Sequence, residues 1–171
     1  KADYTAIVVV GVDSKHNYYV LDIDRFKTTK ISDYFDRILR LHTKWDFRKL
    51  RAEATAAQAV IVKDLKENYI RVHGLSLVID DVRPTRHEGS KEERIEAVLQ
   101  PKYANRQVYH FSGGNCSYLE EELIYQNPSH DDIKDSLAYA IDCSVVPSHQ
   151  VAFTEKKTLD KFYNPRFGGI G

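Results

Sequence analysis

The chain has 171 residues, enough for one domain with one hydrophobic core, and is 42% hydrophobic and 29% charged, the balance of an ordinary globular protein. Its 25 basic and 25 acidic side chains cancel, which argues against a purely basic nucleic-acid-binding module, and no apolar run reaches the ~20 residues of a membrane helix. No signal peptide is visible; the absence of methionine and the opening at Lys1 within strand-like sequence form the pattern expected of a fragment.

The β-branched run 4–12 predicts a buried strand, and 18–24, after the polar turn at 13–17, its hairpin partner. Ser32 is a good N-cap for a helix whose apolar face would hold Phe35, Ile38, Leu39, His42 and Trp45. A short strand is expected over 47–54, carrying Glu53. A helix capped by Thr55 should follow to about Asn68, with Val60, Ile61 and Leu65 inside. Leu75–Ile79 predicts another buried strand. Ser90 and Glu93 form a capping-box pattern ahead of a helix with Ile95, Val98 and Leu99 on one face. A last short strand is expected over 108–111, a short acidic helix over 117–124, and, after Pro128-Ser129, a helix with Ile133, Leu137 and Ile141 spaced for burial. Residues 148–171 read as a tail. Alternating strands and helices predict an α/β fold, and the opening hairpin makes its sheet mixed.

The densest group of chemically useful side chains is His130-Asp131-Asp132-Ile133-Lys134-Asp135. Three carboxylates at one helix start repel one another unless a divalent cation bridges them, and hard oxygen donors suit magnesium or manganese. Acids in a first helical turn also complement the helix dipole and cap free amides, a purely structural role. Glu53 ends a strand, where sites in α/β sheets usually form, but taken alone a solvent-facing acid there is the more ordinary case. Asp80 and Asp81 read as structural. Arg83, Arg86, Lys91 and Arg94 form a basic stretch that feeds a helix N-terminus and could clamp phosphate, or could simply be solvated. No phosphate-loop pattern is present, so ATP hydrolysis is not expected of these residues. Cys116 and Cys143 have no zinc spacing and read as buried thiols.

Taken in order, these segments resemble the nuclease domain of tailed-phage terminase large subunits. The resemblance rests on Asp3-Tyr4-Thr5-Ala6 before a Val-rich strand and Tyr18-Tyr19-Val20-Leu21-Asp22. It continues through Arg51-Ala52-Glu53-Ala54, Lys91 to Ile95, Leu119 to Leu123, and His130 to Ala140. It spans most of residues 3–145 and implies an RNase H-like mixed central sheet flanked by helices on both faces, over residues 1–147. It further implies cleavage of double-stranded DNA by two Mg2+ or Mn2+ ions, with little sequence specificity, during phage genome packaging. Glu53 and Asp132 would be catalytic metal ligands, supported by Asp3, Asp131 and Asp135, and Arg83, Arg86, Lys91 and Arg94 would contact DNA. The family's first essential aspartate lies on a strand ahead of the Asp-Tyr-Thr-Ala segment, so an upstream strand is expected. By the same resemblance the partners are an upstream ATPase domain of the same polypeptide, a portal protein and a small terminase subunit, in the host cytoplasm and without a membrane. Two rival readings are another RNase H-like DNA enzyme, such as a junction resolvase or transposase core, and a non-catalytic module that docks on portal or DNA.

Overall fold

The computed structural model describes residues 4–53, 58–83, 89–125, 128 and 130–147. Among the described residues, five strands and five α-helices follow in the order β1 (Thr5–Val12), β2 (Tyr18–Phe26), α1 (Ile31–Trp45), β3 (Lys49–Glu53), α2 (Gln58–Asp64), β4 (Val78–Val82), α3 (Lys91–Ala104), β5 (Val108–Tyr109), α4 (Asn115–Ile124) and α5 (Asp132–Asp142). A single π-helical stretch, Leu65–Ile70, continues α2.

The β-branched segments pair as a hairpin, Thr5 opposite Phe26 and Val12 opposite Tyr18, with an irregularity between Val9 and Val10 that leaves Leu21 as the extra residue of β2. β5 adds to β2 in parallel through Tyr18 and Tyr19 alone. β3 and β4 form a separate parallel pair, from Lys49 opposite Val78 to Glu53 opposite Val82. The strands therefore form a three-stranded mixed sheet, β1-β2-β5, and a two-stranded one, β3-β4, in place of the single central sheet expected from the sequence.

Side-chain alternation along β1 splits the interior into two cores. Ile7 and Val9 join Phe26 in packing against Phe35, Ile38 and Leu41 of α1, Val62 of α2 and Leu65. Val8, Val20 and Ile23 point the other way, to Ile95 and Leu99 of α3, Leu119 of α4 and Ile133, Leu137 and Ile141 of α5. Helices thus cover both faces of the sheet.

Charges fix α1 in place. Asp24, buried on β2, accepts from Arg37 at 2.7 Å and Arg40 at 2.5 Å, and Asp22 accepts from Lys44 at 2.7 Å and Trp45 Nε1 at 3.0 Å. The fully buried positions of α1 are Phe35, Ile38 and Leu41, with Leu39 and Trp45 half-buried against the same core, and Lys30, not Ser32, occupies its N-cap position. Val60, expected inside α2, is exposed, and Val62 takes its place. The capping box of α3 forms as the sequence indicates: Ser90 Oγ accepts from Glu93 N at 3.1 Å, and Ser90 N donates to the Glu93 carboxylate at 2.8 Å. Both cysteines are buried and free. Among the described residues no helix is long and apolar enough to cross a membrane.

Candidate functional site

α5 organises the candidate site, and its first turn is held from a distance. Asp131, at the N-cap position, makes no capping hydrogen bond. The cap comes instead from α4: Glu122 Oε2 accepts from Ile133 N at 3.0 Å and Lys134 N at 2.8 Å. Only 4% of Glu122 is exposed, and burial pushes its carboxyl above the ordinary range, although the two amides pull the other way. α5 leaves that cap with Ile133 and Leu137 completely buried and Asp132, Asp135, Ser136 and Tyr139 along one side, at the three- and four-residue spacing of a helix stripe.

That side faces a cavity of about 850 Å³ bounded by β1, β3 and α5. Ser136 Oγ donates to the carbonyl of Ala6 at the start of β1, at 2.9 Å. Tyr139 donates its hydroxyl to Glu53 Oε2 at the end of β3, at 2.7 Å. Burial, reinforced by the Glu53 carboxylate, pushes the Tyr139 hydroxyl up to about 12, so it remains a donor at neutral pH. Farther along α5, Asp142 pairs with Arg51 of β3, which also holds Asp80 at 2.9 Å.

The three clustered aspartates divide between two cations. Lys91, from the first turn of α3, pairs with Asp131 at 2.9 Å and with Asp135. Burial disfavours the Lys91 charge, but its bonds to Asp135 and Asp131 outweigh that and raise its pKa. Asp135 is 8% exposed, and burial lifts its carboxyl to about 6 against the pull of Lys91; its Oδ1 is buried with no hydrogen-bond partner. Asp132 instead faces Arg25 of β2, 3.6 Å from Nη2. The Arg25 guanidinium lies over the ring of Tyr4, 4.0 Å from its centroid, and Tyr4 meets His130 edge-on at 4.9 Å.

The structure thus gathers Glu53, Asp132, Asp135 and Lys91 on one cavity, from segments far apart in sequence. Asp131 joins through Lys91. Arg94 donates to the carbonyl of Gly89 at 3.0 Å, and its charge reaches Tyr139. Arg83 is exposed beyond the end of β4 and does not line the cavity. Asp3 and Arg86 lie outside the described residues. Asp80 and Asp81 are engaged by Arg51 and Lys66. Sequence reading missed three members: Tyr139, Arg25 and Glu122. Tyr139 alone carried a legible signal, two helical turns beyond Asp132; the contacts of Arg25 and Glu122 are purely tertiary.

The donor set is chemically suited to a hard divalent cation, being carboxylate oxygens with one buried oxygen unpartnered. Among the described residues, however, no three acidic, histidine or cysteine side chains stand close enough together to hold a metal ion. The protein's own cations and a tyrosine occupy these carboxylates. No protein-family model and no curated protein matches the chain.

Proposed function

We propose that this chain is a metal-dependent DNA endonuclease domain of RNase H-like type, akin to the nuclease of phage terminase large subunits. The observation that carries the reading is the convergence of Glu53 on β3 with Asp132 and Asp135 on α5 at one cavity. Those are the acids that the sequence resemblance assigns to the metal site. Glu53 and Asp132 would hold the cations, with Asp131, Asp135 and Asp3 in support. When bound, two such ions activate a water molecule and stabilise the leaving oxygen of a phosphodiester.

The chain's own groups have defined work in this reading. Tyr139 orients the Glu53 carboxylate by donating to one of its oxygens. Lys91 and Arg25 balance the acids before DNA arrives, so the charged cluster can persist in the free protein. A DNA phosphate entering beside them would compete for both cations, with Arg94 next to it and Arg83 and Arg86 farther out. Contacts of this kind go to phosphate alone and give little sequence preference. Host cytoplasm, an ATPase domain, a portal and a small terminase subunit belong to the same proposal.

The test is plasmid DNA incubated with the protein in Mg2+, in Mn2+ and in chelator, beside Glu53→Ala and Asp132→Ala. Nicking or linearisation that needs metal and disappears in both folded variants is expected. Full activity in either variant refutes the assignment. A second reading has one observation in its favour: the carboxylates are already neutralised within the chain, as in a non-catalytic module that docks on DNA or a portal. DNA binding without cleavage under all metal conditions would select it.

A further inference from the structure

Charge is unevenly placed along this chain. Its total is zero, yet residues 25–49 carry eight Lys and Arg against three Asp. α1 gathers part of that excess on one flank. Arg37, Arg40 and Lys44 stand three and four residues apart, so they share one side of the helix over a rise of about 10 Å. All three reach over β2, to Asp24 or Asp22.

Pinning α1 to β2 needs fewer charges than are present. Arg37 alone meets both oxygens of the buried Asp24, at 2.7 and 2.9 Å. Arg40 brings a second guanidinium to the same carboxylate and keeps 64% of its side chain in solvent; Lys44, on Asp22, keeps 59%. Lys27 is exposed and lies over the Tyr4 ring at 3.8 Å, with no acidic partner among the described residues. Four cations therefore stand against the two acids of β2. They form a continuous row, because Arg37 covers the ring of Phe26, the neighbour of Lys27, at 4.2 Å. The row starts at the acidic end of the candidate site. The Tyr4 ring under Lys27 is also the one under Arg25, and Arg25 faces Asp132.

A solvent-facing row of cations in excess over its acids fits a polyanion of regularly spaced charge. One strand of a DNA duplex carries a charge about every 3.4 Å along the axis, so the α1 flank spans about three successive phosphates. Arg and Lys both donate to phosphate oxygens, and the Arg fork can take two at once.

We propose that Lys27, Arg40 and Lys44, backed by Arg37, form a phosphate track that carries one strand of double-stranded DNA from the acidic end along β2 and α1. The track rests on the nuclease reading only for its choice of DNA as the polyanion. It lies on a different helix from Lys91 and Arg94, the DNA contacts expected from the sequence on α3. Its contacts go to the backbone, so it holds duplexes of any sequence alike.

The experiment is binding of a fluorescent 20-base-pair duplex to the full chain in chelator, followed by anisotropy across a salt series. The triple variant Lys27→Gln, Arg40→Gln, Lys44→Gln is compared with Lys63→Gln, Arg71→Gln, which removes exposed cations from the α2 side. Removing three phosphate contacts should lower the slope of log affinity against log salt by about 2–3 and weaken binding about tenfold or more at 0.1 M salt, with little change in the control. A slope unchanged in the triple variant, or lowered equally in the control, overturns the track. So does an absence of duplex binding by the parent chain. Should the triple variant not fold, lysine acetylation of the parent chain with and without duplex gives the answer by mass spectrometry. Lys27 and Lys44 should be protected and Lys63 not; equal labelling of all three overturns the track. Displacement of the duplex by polyglutamate as readily as by unlabelled DNA of equal charge would assign the row to acidic protein segments instead. Chelator removes cleavage from the readout, so binding on the track without any metal-dependent cutting sinks the nuclease reading alone, and cutting with an unaltered slope sinks the track alone.

Discussion

Replacing Glu122 with alanine tests how the acidic helix is held. The substitution removes the side-chain acceptor of the amides of Ile133 and Lys134, at 3.0 and 2.8 Å. Loss of a helix cap costs about 1 kcal/mol, and a buried amide left unpaired about 1–3 kcal/mol. Partial fraying of the first turn would relieve some of this, so a loss of about 3 kcal/mol is expected. For a domain of this size that lowers the melting midpoint by roughly 6–12 °C. Glutamine retains an acceptor oxygen at the same place. Because burial already raises the Glu122 carboxyl, the neutral amide should cost about 1 kcal/mol or less. Urea unfolding of the three proteins, with thermal melts beside it, reads both numbers. An alanine variant within about 0.5 kcal/mol of the parent, or a glutamine variant as damaged as alanine, would refute the capping argument.

The acidic end should also set a pH dependence. Asp135 titrates near 6 in the folded protein against 3.8 as its ordinary value, so the folded state holds the extra proton between those values. Stability should therefore fall as pH rises from about 4 to about 6, by on the order of 2–3 kcal/mol, and level off above; Asp135→Asn should flatten that interval, and an unchanged slope would assign it to another group. Tyr139→Phe should cost about 1 kcal/mol, and a double-mutant cycle with Glu53→Ala, which removes the acceptor, should return a coupling of similar size. A coupling near zero would mean that the 2.7 Å contact contributes nothing.

The strength of the periodic signals explains what could be read directly. β1 and β2 were legible because β-branched runs flank a polar turn, and α3 because Ser90 and Glu93 lie at the capping-box spacing. α5 was legible in its core face, Ile133, Leu137 and Ile141, but not in its cap, since Glu122 lies eleven residues upstream on another helix. The expected strand at 75–79 lies at 78–82 instead. Leu77 and Ile79 are buried as their alternation suggests, but pairing begins only where Val78 meets Lys49, and alternation marks burial without marking the ladder. Of the candidate site, the acids were visible as a cluster. Their separation between Lys91 and Arg25 was not, because it depends on which face of α5 meets β2 and which meets α3.

The ties made by α5 also have a consequence in time. Its hydroxyl at Ser136 reaches Ala6 across 130 positions of sequence, and that at Tyr139 reaches Glu53 across 86. A chain emerging from the ribosome can close the β1-β2 hairpin early, since that contact is local. The acidic end has to wait until residues 132–142 have been made, and before then Glu53 lacks its tyrosine and Lys91 lacks both carboxylates. Any activity that depends on these groups is therefore withheld from the nascent protein until α5 has been synthesised.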